Sequence, residues 1–371
     1  MTETQVAVVG GGLAGLNAAR LLQRSGIDFT VFEARGRPGG RILTVDDGGQ
    51  PSDDGFDLGP SWFWPEMQPA IATLVSELGL AAFTQHSEGD VVFERMSREA
   101  PHRLPGIRQE PQSTRLAGGS AALVQALVGR FPSHRLCLDA SVTAMRLTEQ
   151  GVELSIRSAG GLQEQVTADG VIAALPPRLL AATVRFTPLL DAGTLARWQA
   201  TPTWMAPHAK FFAVYERAFW RNVGLSGTAQ SMLGPMVEMH DATTASGHPA
   251  LFGFMGIGAD QRAAIGEQKL VHACLDQLAR IFGAEARTPR ATLFKDWAAD
   301  PLTATAADRL GGDHPIAGTD PWVPDAWRAR LVMAGSETSA TEPGYLAGAV
   351  AASERAVAEI RQFWNGSAAV G

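Results

Sequence analysis

Cysteine is almost missing from this chain. Of 371 residues only Cys137 and Cys274 are cysteines, far apart and without metal-ligand spacing, which argues against a structural zinc and for idle thiols in a reducing compartment. The eight histidines form no HxH or HExxH arrangement. No apolar run reaches the roughly 18 residues of a membrane span, and no basic leader with an apolar core precedes the first strand. A cytoplasmic protein is expected. Positive charge is not in excess either: the formal net charge is −7, which disfavours nucleic acid and anionic membrane as partners. No repeat or low-complexity tract is visible. What remains is 45% hydrophobic and 19% charged, the balance of a globular protein long enough for two domains.

The informative segment comes first. Val6 to Val9 reads as a buried strand, followed by Gly10-Gly11-Gly12-Leu13-Ala14-Gly15 and a helix-patterned stretch. Gly10 permits the tight strand-to-helix turn, Gly12 lets a pyrophosphate approach bare backbone, and Gly15 lets the helix pack on the strand. The helix N-terminus, through Leu13 and Ala14, then faces the phosphates. A second strand, Phe29 to Phe32, ends at Glu33, followed by Ala34 and Arg35. A carboxylate there accepts both ribose hydroxyls of an adenosine and repels a 2′-phosphate, so NADP is disfavoured. Gly36-Arg37-Pro38-Gly39-Gly40-Arg41 adds backbone and a cation suited to a longer dinucleotide.

This second glycine stretch resembles that of the flavin amine oxidase superfamily. The resemblance implies an α/β fold: a Rossmann-like FAD-binding domain (GR2-type) with a smaller α+β substrate domain on an antiparallel sheet. The expected division is 1–76, 116–197 and 300–371 for FAD, and 77–115 and 198–299 for substrate. Residues 77 to 115 read as irregular and polar, with Pro101, Pro105 and Pro111. Ser120 is expected to cap a helix. Strands are expected at Arg135 to Leu138, Ser141 to Leu147, Gly151 to Arg157, Gly170 to Leu175, Ala209 to Tyr215, Pro249 to Met255 and Leu331 to Ala334. Helices are expected over Gln268 to Phe282 and Gly344 to Arg361, with the chain fraying beyond Asn365.

By the same resemblance, Gly59-Pro60-Ser61-Trp62 corresponds to the turn that passes under the flavin, and Val142 meets the adenine through its backbone. Gly335, Ser336 and Glu337 lie near the ribityl chain and pyrophosphate. Tyr345, Leu346 and Ala347 open the last helix, whose dipole favours negative charge on the flavin. FAD is thus the expected cofactor. The catalytic candidates are Lys210, Trp297 and Tyr345. Lys210 sits in an apolar strand and either snorkels to solvent or faces the core; the resemblance puts it on the flavin side, holding a water. Trp297 packs near the flavin or is an ordinary core tryptophan, and Tyr345 is one wall of an aromatic cage around the amine.

Thr303-Ala304-Thr305-Ala306-Ala307 stands where covalent relatives carry a flavin-linked cysteine and a second cage tyrosine. Non-covalent FAD is therefore expected, with a cage half built unless Trp62, Trp64 or Phe254 completes it. The activity implied is oxidation of a small-molecule amine to an imine, with O2 reduced to hydrogen peroxide. A desaturase or dehydrogenase acting on C–C bonds, or a flavin-binding redox partner without turnover, is the alternative.

Overall fold

The computed structural model of the chain describes residues 2–96, 98–106, 110–323 and 325–368. The last three residues of the expected frayed end, 369–371, lie outside these. The fold is mixed α/β, organised on two large sheets. Eight strands form the first, in the order Arg185–Thr187, Ala140–Leu147, Val152–Ser158, Gln163–Ala173, Thr2–Val9, Phe29–Phe32 and Leu136–Cys137, with Leu331–Met333 also on Gln163–Ala173. Its centre is parallel, with Val6 opposite both Phe29 and Gly170. Alternation divides the opening strand between two cores. Val6 and Val8 face the helices Leu13–Arg24 and Leu346–Ala368, while Ala7 and Val9 face Val142, Trp198 and Trp327. Being buried on both faces explains why this strand is a continuous apolar run.

The seven-stranded second sheet runs Ala291–Asp296, Ala209–Val214, Ala250–Met255, Met236–Asp241, Leu225–Ser231, Asp90–Glu94, His102–Leu104. It departs from the expected antiparallel sheet at one pair: Leu225–Ser231 and Asp90–Glu94 run parallel. The stretch expected to be irregular therefore supplies two strands to this sheet. His102–Leu104 is the exposed edge, which carries little hydrophobic period. Asp90–Glu94 inside it has only the short apolar run Val91 to Phe93 between two carboxylates. Helix Glu267–Phe282 covers one face through Leu270, Cys274 and Leu278. The other face packs Phe212 and Phe252 on Val45, Phe56 and Leu58. Ser120 is at the N-cap of Ala121–Val128, but its hydroxyl donates to Asp57 Oδ1 at 2.9 Å instead of capping the helix. Among the described residues no helix is long and apolar enough to cross a membrane.

The first turn sets how closely the opening helix approaches the sheet. Gly10 has φ +104°, which L side chains rarely adopt. A Cβ on Gly15 would lie 1.9 Å from the Gly10 carbonyl oxygen, so only glycine lets the helix sit this close to the strand. Gly15→Ala should push the helix off and cost about 1–3 kcal/mol, the usual penalty of overpacking. Chemical denaturation checks this, and an unchanged midpoint would refute it.

Candidate functional site

A cavity of about 1000 Å³ opens between the sheets, at the top of the range of about 300–1,000 Å³ usual for small-molecule sites. Of the residues expected from the sequence, it is lined by Gly10, Gly12, Leu13, Ala14, Glu33, Ala34, Arg35, Gly40, Arg41, Gly59, Pro60, Ser61, Trp62, Val142, Lys210, Trp297, Gly335, Ser336, Tyr345 and Leu346. Three others do not line it. Gly15 lies under the first turn, Ala347 is in the core, and the Glu337 carboxylate is buried behind Arg41.

The nucleotide-like part is built on the first turn. The N-cap, Gly12, brings no side-chain cap, so the first amides of the helix are left to a ligand. A Cβ on Gly12 would meet nothing nearer than the Gly39 oxygen at 3.9 Å, so the space over it is open. Glu33, at the end of its strand, accepts from the amides of Gly11 at 2.7 Å and Arg35 at 2.8 Å. The Arg35 side chain is turned to Asp300 at 3.0 Å and Thr303 at 2.9 Å. Arg41 pairs with Glu337 at 2.8 Å and donates to Ser336 Oγ at 3.1 Å, while remaining partly exposed to the cavity. Helix-terminal amides, an acidic strand end and a held arginine suit a dinucleotide.

Lys210 is only 4% exposed. Its ammonium donates to the Gly59 carbonyl at 2.6 Å, Ser61 Oγ at 2.9 Å and the Asp57 carbonyl at 3.3 Å. The rings of Phe252 and Phe254 lie 5.0 and 5.1 Å away. The lysine therefore faces the core and the expected flavin-side turn. Burial pulls its pKa down to about 7; Asp57 opposes this shift and Arg115 adds to it. Trp297 is anchored to the same turn, donating Nε1–H to the Leu58 carbonyl at 2.9 Å. Burial also lowers His208, with Arg262 adding to the shift.

The aromatic surroundings of Tyr345 differ from the expected alternatives. Trp62 packs against His240, Phe252 and Phe254, away from Tyr345. Trp64 meets Tyr345 edge-on at 6.3 Å. The nearest ring centroids belong to Trp204 at 4.5 Å and His314 at 5.0 Å, neither anticipated. Both come from loops without periodicity, so no sequence pattern marks them. Glu238 and His240, which also line the cavity, were missed because they alternate on a strand that was not anticipated.

A family model described as "Flavin containing amine oxidoreductase" matches residues 13–113 and 92–361. The chain belongs to that family. It is 26% identical to the Mycobacterium tuberculosis protein named "Putative flavin-containing monoamine oxidase AofH", with 96% of each chain covered. Among solved structures it is similar to cyclohexylamine oxidase from Brevibacterium oxydans IH-35A, with a TM-score of 0.80 and 22% identity over 98% of this chain and 99% of the other. A putrescine oxidase with bound putrescine gives a TM-score of 0.79 and 22% identity over 97% of this chain and 99% of that one. The protein is an FAD-dependent oxidoreductase that holds its cofactor non-covalently. Neither cysteine lines the cavity: Cys137 pairs with Phe32 in the first sheet, and Cys274 is buried against Met255.

The buried lysine yields a signed prediction for the flavin-free protein. Its folded pKa of about 7 lies below the ordinary lysine value of 10.5. Between these values the unfolded chain binds the extra proton, so this group's contribution to stability rises with pH. Relative to Lys210→Met, the wild type should gain stability as pH is raised from about 7 toward 10. Denaturant titrations at several pH values test this; a pH-independent difference would mean an unshifted lysine.

Proposed function

We propose that this flavoenzyme oxidises a small-molecule amine to an imine and passes the electrons to O2, forming hydrogen peroxide. The observation that carries the reading is one cavity lined both by the Gly10–Glu33 turn and by Lys210, Trp297 and Tyr345. FAD, when bound, supplies the two-electron acceptor, so few ionisable side chains are required of the protein.

The proposed division of labour follows the segments expected from the sequence. Residues 1–76, 116–197 and 300–371 would hold FAD, and 77–115 with 198–299 would shape the substrate site. Amides of Gly12, Leu13 and Ala14 would meet the pyrophosphate, Arg41 would add charge, and Glu33 would accept the ribose hydroxyls. The Gly59–Trp62 turn, Val142, and the Gly335–Glu337 segment complete the cradle. Lys210 would stabilise negative charge developing during oxygen reduction, directly or through a water. Trp297, Trp204 and Tyr345 would exclude water and wall the amine.

Two experiments bear on this reading. Glu33→Gln should weaken FAD binding about tenfold to a hundredfold, because hydrogen bonds to a charged partner contribute about 1.5–3 kcal/mol; an unchanged dissociation constant removes Glu33 from the site. An amine panel scored by peroxide release tests the reaction itself, with the flavin-loaded Lys210→Met variant beside it. Methionine keeps the apolar length and removes charge and donors, so stopped-flow reoxidation should slow on the order of a hundredfold to a thousandfold. Reduction by amine without oxygen should suffer less. Equal reoxidation in wild type and variant would make Lys210 purely structural.

A further inference from the structure

One carboxylate of the cavity has no part in holding FAD or in the oxidation itself. Glu238 lies on Met236–Asp241 and lines the cavity with His240 and Phe254. Strand register fixes its place. Lys210 is opposite Phe254, and Phe254 is opposite Glu238. Directly paired residues of neighbouring strands share a face, so the three form one row. The position of Lys210 Nζ, 5.1 Å from the Phe254 ring centroid, agrees with this. Each antiparallel step spans about 4.5–5.5 Å between Cα atoms, which puts Lys210 and Glu238 on the order of 10 Å apart with an aromatic ring between them.

Charge balance singles Glu238 out. Arg262, which also lines the cavity, is matched by Asp296 at 2.6 Å, and Arg309 by Asp260 at 2.7 Å. Glu238 is met by His240 Nε2 at 2.6 Å, a group charged only when protonated. That hydrogen bond is the largest influence on the Glu238 carboxyl and holds it below the usual range, against the opposing effect of burial. Its side chain is 44% accessible, so an ionised carboxylate is open to whatever fills the cavity. Trp62, 4.9 Å from His240 and 6.2 Å from Phe254 between ring centroids, adds an apolar wall beside the row.

We propose that Glu238 receives a second ammonium group, so that the preferred substrates are α,ω-diamines. The inference rests on the amine-oxidising reading. The reacting amino group lies toward Lys210, Trp297 and Tyr345, the distal ammonium meets Glu238, and the methylene chain runs past Phe254 and Trp62. A monoamine of the same length covers the carboxylate with an apolar end, which desolvates the charge without compensation.

The test compares kcat/KM for diaminobutane and butylamine in the FAD-loaded wild type, Glu238→Gln and Glu238→Asp. The wild type should prefer the diamine, and Glu238→Gln should reduce the diamine-to-monoamine ratio about tenfold to a hundredfold. Glu238→Asp, which keeps the charge, should retain part of the preference. Flavin content and circular dichroism report whether the variants are folded. A wild type that prefers butylamine, or a ratio unmoved by Glu238→Gln, overturns the proposal. If no amine yields peroxide, the oxidase reading fails instead. Calorimetric titration of the same two ligands then decides the subsite: equal diaminobutane affinity in wild type and Glu238→Gln overturns it, and a loss confined to Glu238→Gln supports it.

Discussion

A buried ammonium ties the second sheet to the turn that follows Phe56–Asp57. Removing a charged amine from water is costly unless every donor finds an acceptor. Lys210 meets that demand with the carbonyls of Asp57 and Gly59 and the Ser61 hydroxyl, and with two aromatic faces behind it. Trp297, directly after the last strand of the second sheet, donates to Leu58 in the same turn. From the other side, Asp57 Oδ1 accepts from Thr44 Oγ1 and from the amide and hydroxyl of Ser120. The turn is therefore held from several elements at once. The lowered pKa of Lys210 measures what remains of the desolvation cost.

The same logic of distant segments converging applies at the nucleotide end. The Arg41–Glu337 pair joins the second glycine segment to the segment before the closing helix. Asn17 donates to Ser353 at 2.8 Å, locking the first helix against the last. Residues far apart in the chain thus support the cavity from behind its lining. Glu337 acts there through Arg41, orienting a guanidinium that would otherwise roam. Burying a carboxylate with no cation beside it would be far less favourable.

How much could be read in advance depends on how local each device is. The strand–turn–helix of Val6 to Arg24 was legible because its constraints are steric and lie within a single turn: Gly10 for its backbone angle, Gly15 for its closeness to Gly10. Lys210 was legible as an anomaly, a cation in an apolar strand, although its hydrogen-bond partners were not. The strands Asp90–Glu94 and Met236–Asp241 were missed for a different reason. Met236–Asp241 sets Glu238 and His240 toward the cavity, so the hydrophobic alternation that marks a strand is broken where the site is built. Asp90–Glu94 begins and ends on carboxylates paired with Arg103 and Arg280. Trp204 and His314 were missed because their place beside Tyr345 is set by loop paths, and no period encodes a loop path.

Under the proposed reading, the electrostatics of the cavity derive from the same burial. An amine in water is mostly a cation, and a fully charged Lys210 beside its binding place would repel it. Desolvation lowers the lysine's pKa to about 7, so it carries only part of its charge near neutral pH, which lessens the repulsion. It also favours the neutral form of the arriving amine, the form that can be oxidised. At Glu238 the balance is reversed, because its carboxyl is held ionised by His240 and favours an ammonium. A row of three residues across three strands therefore offers two opposite environments for the same functional group. One end favours loss of a proton and the other favours keeping it. A substrate with two amino groups can satisfy both at once, and the sheet register sets the distance over which it must do so.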